Sequence, residues 1–188
     1  MMSTWAKTKI PAGTPIKARY VYTDEQGTPL YSKERYEWQE GGERKKMFKL
    51  RGFLGYASGQ PDRPQWDVTL DKGVRRVPYH LDRLRAAIAK GERVYLVDGE
   101  KDVETLEAAG YVATTTPMGT MGTWRGEWAA YFYGAVRVTI VADNDPNGQG
   151  VRDAWRVAES LKLLGIVPEV VTVPVGKDIT DFATAGAP

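Results

Sequence analysis

The hydrophobic rhythm of the chain changes midway. From residue 18 to residue 38, aliphatic and aromatic positions alternate with polar ones around Glu25-Gln26-Gly27, which predicts a β-hairpin with strands over Arg19–Thr23 and Leu30–Trp38. A polar stretch at 39–46 and a short apolar piece at Met47–Leu50 follow, and the Gly/Pro-rich run 52–66 reads as loop. Leu81, Leu84 and Ile88 then recur at helical spacing, with Gly91 as a stop signal and His80 as a polar helix-start residue.

From Arg93 onward, apolar runs without clean alternation (94–97, 111–116, 136–142 and 167–173) are separated by stretches with helical spacing at 102–110, 125–134 and 150–165. Strand and helix in alternation predict an α/β fold, a parallel sheet with helices on both faces. The expected organisation is a β-hairpin-rich basic region over 1–71 and an α/β domain over 72–188. Trp38, Trp124, Trp128 and Trp155 are expected in cores or helix packing.

Composition narrows the chemistry. The 188 residues are 42% apolar, enough for a buried core. No run approaches the roughly 18 apolar residues of a membrane span, and the N-terminus lacks a signal-peptide stretch, so a cytoplasmic protein with no membrane partner is expected. Without cysteine there is no disulfide, thiolate nucleophile or Cys-ligated zinc. With one histidine, His80, a multi-histidine metal site is excluded too, and any metal should be a hard cation on carboxylate oxygens, Mg2+ or Mn2+. The net charge of +2 hides an asymmetry: residues 1–90 hold 18 Lys and Arg against 10 Asp and Glu, net +8, and residues 91–188 hold 8 against 14, net −6.

The acidic residues of the second half sit where parallel sheets place ligands, just past the strand ends. Asp98, Glu100 and Asp102 follow the first predicted strand, Asp143 and Asp145 follow a later one, and Asp178 and Asp181 follow the last. Three strands would bring these carboxylates to one edge, a costly juxtaposition that a divalent cation resolves. Each cluster also has a structural reading: Asp102 as a helix cap, and Asp143–Gly148 as a turn.

The segments VYLVDGEKDVETL (94–106), VTIVADNDPNGQGVRDA (138–154) and VPVGKDITDF (173–182) together resemble the TOPRIM domain shared by bacterial-type primases, topoisomerases and some nucleases. The resemblance spans about residues 72–184. It implies that Gly99 is the family glycine, that Asp143 and Asp145 are the metal-binding pair, that Asp102 and Asp178 complete the acidic set, and that Gly148 opens the next helix. Asp98 stands where the family has its catalytic glutamate, one methylene shorter, and Thr180 where many primases carry a second carboxylate. The preceding segment GVRRVPYHLDRL (73–84) is similar to phage- and plasmid-borne primase-like proteins, which favours a primase type over a topoisomerase.

Two basic runs bear on partners. Lys46, Lys49 and Arg51 belong to the first, and Lys72, Arg75 and Arg76 to the second, with Trp66, Tyr79 and His80 interleaved. Cations along a backbone with aromatics for bases suit single-stranded nucleic acid; a solvated face is the structural alternative. Lys101 and Arg152, beside the acidic loops, could contact phosphate or balance charge. The loop 116–124 is expected to line the acidic edge.

The resulting expectation is a primase-like nucleotidyltransferase dependent on Mg2+ or Mn2+, using single-stranded DNA and nucleoside triphosphates, with a replicative helicase as a partner. Asp98, Asp143 and Asp145 would carry catalysis; metal ligation would fall to these with Asp102 and Asp178. A TOPRIM nuclease, and a catalytically weak nucleic-acid-binding module of a larger replication assembly, are the alternatives.

Overall fold

The computed structural model describes residues 9–119 and 123–186. The described residues pack as two units, 9–21 with 30–74, and 22–29 with those of 75–186. The expected boundary at 71/72 lies three residues before the observed division, and the tip of the first hairpin belongs with the second unit.

Strands β1 (Ile16–Thr23), β2 (Pro29–Glu40), β3 (Glu43–Ala57) and β4 (Gln60–Trp66) form a sheet in the order β1-β2-β3-β4. The turn between β1 and β2 is closed by Asp24, whose Oδ1 accepts from the backbone N–H of Gln26 (3.0 Å) and Thr28 (2.8 Å). Residues 52–66, expected as loop, instead form the end of β3 and all of β4, which pair antiparallel. The Gly and Pro residues have other causes there. Gly55 takes φ +114° at a register shift between Phe53 and Gly55, and Pro61 and Pro64 sit on β4, an edge strand where a missing N–H is tolerated.

The middle of β2 is buried on both parities, from Tyr31 to Glu34. Glu34, 3% exposed, accepts from Arg19 Nη2 (2.8 Å), Arg51 Nε (3.0 Å) and the Tyr36 hydroxyl (2.5 Å). Burial pushes its carboxyl up, but these three donors outweigh it and hold Glu34 below the usual carboxylate range.

In the second unit, β5 (Arg93–Leu96), β6 (Val112–Thr114), β7 (Arg137–Ala142) and β8 (Glu169–Thr172) form an all-parallel sheet in the order β6-β5-β7-β8. Every residue of β7 from Val138 to Ala142 is buried, so both faces of this central strand are covered. Helix α1 (Leu81–Ala89) packs on β5 and β6, α2 (Glu100–Ala108) on β6, and α3 (Gln149–Lys162) on β7 and β8; α4 (Ile179–Thr184) lies against α2. The helix expected over 125–134 is a 3-10 helix at Gly126–Phe132, which buries Trp128 and Phe132.

Trp155, expected in packing, is 49% exposed on α3, whose buried face is Ala154, Val157, Ala158 and Leu161. Its ring carries the Lys162 ammonium at 5.7 Å. His80 precedes α1 in a left-handed conformation, φ 53°, stacks on Tyr79 and shares Glu107 with Arg83. No helix among the described residues is long and apolar enough to cross a membrane.

Candidate active site

The strand order dictates where the site lies. The chain runs from β5 outward to β6, then returns past β5 to β7 and on to β8, so the direction of winding reverses between β5 and β7. At such a reversal the loops leaving the two strands part in opposite directions and open a crevice beyond their carboxyl ends. Leu96 pairs with Ile140, and Ala142 with Thr172. Asp98 and Asp143 therefore leave adjacent strands on the two sides of the crevice, and Asp178 follows β8 on the next strand over.

The loops are tied to one another by named bonds. Asn144 N–H donates to the Lys177 carbonyl (2.8 Å) and Asn144 Nδ2 to the Gly176 carbonyl (3.2 Å), joining the loop after β7 to the loop after β8. Thr180 N–H (3.0 Å) and Thr180 Oγ1 (2.8 Å) both donate to Asp102 Oδ1, joining the loop after β8 to the start of α2. Thr115 Oγ1 donates to the Asp98 carbonyl (2.8 Å). From the loop 116–124, Gly119 (φ +88°) approaches Asp98 so closely that a Cβ there would lie 3.3 Å from Oδ1. That places part of the loop at the acidic edge, as expected; residues 120–122 lie outside the described residues.

Electrostatics converge on Asp143. Burial, then the neighbouring Asp98, Asp102 and Asp178 carboxylates, push it up to about 7, with Lys177 pulling the other way. Asp102, 7% exposed, is also raised, first by burial and then by Asp178, while the Thr180 bonds oppose the shift. Asp145 is half-buried with Lys177 Nζ 3.8 Å from its Oδ1. Asp178 caps α4 by accepting from Asp181 N–H (2.8 Å). Glu100 is withdrawn from the crevice: it is 3% exposed and accepts from the Tyr22 hydroxyl at 2.6 Å. It cannot stand in for Asp98.

The donor set fits a divalent cation. It consists of hard carboxylate oxygens, whose negative charges raise the proton affinity of Asp143, with no soft ligand among them. Among the described residues no three His, Cys, Asp or Glu side chains form a ready cage.

The basic residues divide by environment. Lys46 and Lys72 are exposed in the first unit. Lys49 lies over the Tyr36 ring (5.4 Å), and Arg51 is engaged with Glu34 and the Val68 carbonyl, so both brace the sheet. Arg75 forms a two-pronged pair with Glu25 (2.8 and 2.6 Å), and Arg76 is half-buried, its carbonyl accepting from the Tyr131 hydroxyl. Lys101 is exposed in the first turn of α2, and Arg152 folds back on the Asn147 carbonyl and Gln149 (both 2.9 Å) to close the Asp143 loop. A second aromatic group accompanies the basic sheet: Phe53 packs on Tyr56 (5.1 Å) and Trp66 (5.6 Å), with Arg19 over Trp66 and Tyr56 46% exposed.

One site residue, Gly150, has no place in the sequence-based expectations, and a second, Thr180, has one that the fold changes. Gly150 lets α3 abut β7; a Cβ there would lie 2.5 Å from the Asp143 carbonyl oxygen. The Gly148-Gln149-Gly150 spacing at a helix start was its signal. Thr180 was seen only as a missing carboxylate, and its hydrogen-bonding role needed the fold.

No protein-family model matches the sequence, and no curated protein matches it significantly. Solved structures do. A DNA primase domain from Pseudomonas aeruginosa superposes with a TM-score of 0.57 at 20% identity, covering 89% of this chain and 46% of that one. The DnaG primase catalytic domain bound to ssDNA gives 0.57 at 19% identity, covering 90% and 48%. The Aquifex aeolicus primase, zinc-binding and RNA polymerase domains, gives 0.58 at 17% identity, covering 88% and 36%. The chain thus spans less than half the length of each of these chains, and it has a primase-like α/β fold.

Proposed function

We propose that this protein is a TOPRIM-type, primase-like nucleotidyltransferase that extends oligonucleotides on single-stranded DNA from nucleoside triphosphates with Mg2+ or Mn2+. The observation that carries the reading is the set of aspartates at one edge of the parallel sheet, Asp98 after β5, Asp143 and Asp145 after β7 and Asp178 after β8, with Asp143 raised to about 7 by burial and by its acidic neighbours. The fold shared with solved primase domains, one of them bound to ssDNA, supports it.

Asp143 and Asp145 would hold the metal with Asp98 and Asp178 near it. When bound, such an ion stabilises negative charge on the phosphoryl group and on the attacking and leaving oxygens. The remaining work falls to the chain. Asp98, whose carbonyl accepts from Thr115 and which Gly119 approaches closely, would accept a proton from a primer hydroxyl. Lys177, exposed and beside Asp145, would meet a phosphate oxygen. Exposed Lys46 and Lys72 and the Tyr56–Trp66 group would engage template phosphates and bases. A replicative helicase partner belongs to the same reading.

The test is one reaction with single-stranded DNA, nucleoside triphosphates and Mg2+ or Mn2+, run beside the protein carrying Asp143→Asn with Asp145→Asn. New metal-dependent oligonucleotides that the double variant does not make are the expected result. Shortened DNA would replace this reading with a nuclease, and bound but unchanged DNA in both samples with a binding module.

A further inference from the structure

We infer that Asp102 is a positioning residue rather than a metal ligand: its carboxylate latches the loop that carries Asp178 to the loop that carries Asp98, through Thr180. The inference rests on the metal-site reading above and assigns roles within it.

Three features support the latch. Asp102 is 7% exposed, at the start of α2, and a single oxygen, Oδ1, accepts both the backbone N–H and the hydroxyl of Thr180. The second oxygen, Oδ2, faces Gly99, where a Cβ would lie 3.5 Å away. The side chain is thus bonded on one side to Thr180 at the start of α4 and lies on the other beside Gly99. Lastly, Thr180 is two residues after Asp178, and its neighbours hold it in register: Thr105 Oγ1 of α2 lies 3.2 Å from its hydroxyl, and Thr184 donates to its carbonyl at 2.7 Å.

This arrangement also explains the threonine. A carboxylate at position 180 would point a second negative oxygen at buried Asp102, whereas a hydroxyl supplies the donor that Asp102 lacks. The same geometry makes no demand for a negative charge at 102. An amide oxygen has two lone pairs and can accept both Thr180 donors in the same geometry. A direct ligand, by contrast, needs its charge.

Four variants separate the two roles: Asp102→Asn, Asp102→Ala, Thr180→Val and Thr180→Ser. Mn2+ binding is measured by calorimetry on each, with amide hydrogen exchange at Thr180 as a readout that needs no metal. Asp102→Asn and Thr180→Ser are expected to bind Mn2+ within about threefold of the parent and to keep the Thr180 amide protected. Asp102→Ala and Thr180→Val are expected to weaken binding by about 10–100-fold, the range seen when a partner of a ligand loop is lost. The amide should lose protection in Asp102→Ala.

Equal losses in Asp102→Asn and Asp102→Ala would overturn the latch and make Asp102 a ligand. Parent-like binding in all four variants would show that the latch positions nothing. A parent protein that binds no Mn2+ would sink the metal reading and the positioning role together, while the exchange data would still report whether Asp102 holds Thr180.

Discussion

Asp143→Asn is expected to raise the melting temperature of the metal-free protein at pH 8 while removing its response to Mn2+. The sign follows from proton binding. In the unfolded chain Asp143 ionises near 3.8, and in the folded chain near 7. Between those values the folded state holds the extra proton, so stability falls as pH rises from about 4 to about 7 and stays low above it. Asp102 is raised as well and adds the same slope. Asparagine keeps the shape without the charge and removes the Asp143 share. Because Asp143 is half-buried, solvent screens much of the effect, leaving about 1–2 kcal/mol. For a chain of this size that is roughly 2–8 °C. Thermal melts in EDTA at pH 5 and pH 8 check it. A parent melting point that does not fall over this interval, or a variant that melts no higher at pH 8, would contradict the electrostatic picture of the site.

Gly150→Ala should do the reverse, lowering stability and damaging the site together. Within a helix, alanine normally stabilises relative to glycine by about 1 kcal/mol. Here the added methyl would stand 2.5 Å from the Asp143 carbonyl oxygen and 3.2 Å from its C and N atoms. These are backbone atoms at the end of a buried strand, and no side-chain rotation relieves the clash. Helix α3 must withdraw from β7, which costs about 1–3 kcal/mol and shifts Asp143 away from Asp98. Displacements of about 1 Å at a reacting centre can cost on the order of 100-fold in rate, so nucleotidyl transfer should fall further than stability does. Gly126→Ala is the control, since a Cβ there meets only the Ser160 hydroxyl at 4.0 Å. A melting point for Gly150→Ala equal to the parent's, with unchanged Mn2+ affinity, would show that the close approach is not needed.

What the sequence discloses about this fold depends on how local each signal is. The parallel sheet was legible because apolar runs such as 136–142 alternate with amphipathic helices, and that pattern has few solutions. The acidic edge followed from it, since Asp143 comes directly after β7, Asp98 two residues after β5, and Asp178 in the loop that follows β8. The β3–β4 hairpin was not legible. Gly55, Pro61 and Pro64 carry the local marks of a loop, and only the edge position of β4 makes them acceptable in a sheet.

Residue roles were less visible than residue positions. Arg51 and Arg75 share the basic runs with Lys46 and Lys72, yet each is engaged by a glutamate distant in sequence, Glu34 and Glu25. Glu100 sits among the acidic residues after the first strand in sequence, yet the fold brings Tyr22 onto it from 78 residues away. Composition could not have separated these pairs, because each depends on a contact that only the tertiary structure creates.

That the carboxyl edge of the parallel sheet is a divalent-metal site is tested most directly by titrating Mn2+ into the protein at pH 7 in two buffers of different ionisation enthalpy. With Asp143 pushed up to about 7, a share of the molecules carries a proton there at pH 7 that the metal must displace. The expected result is binding with net proton release at pH 7. The release should fall toward zero by pH 8.5 and be absent in Asp143→Asn. No binding, binding without proton release at pH 7, or equal binding by Asp143→Asn would contradict the assignment.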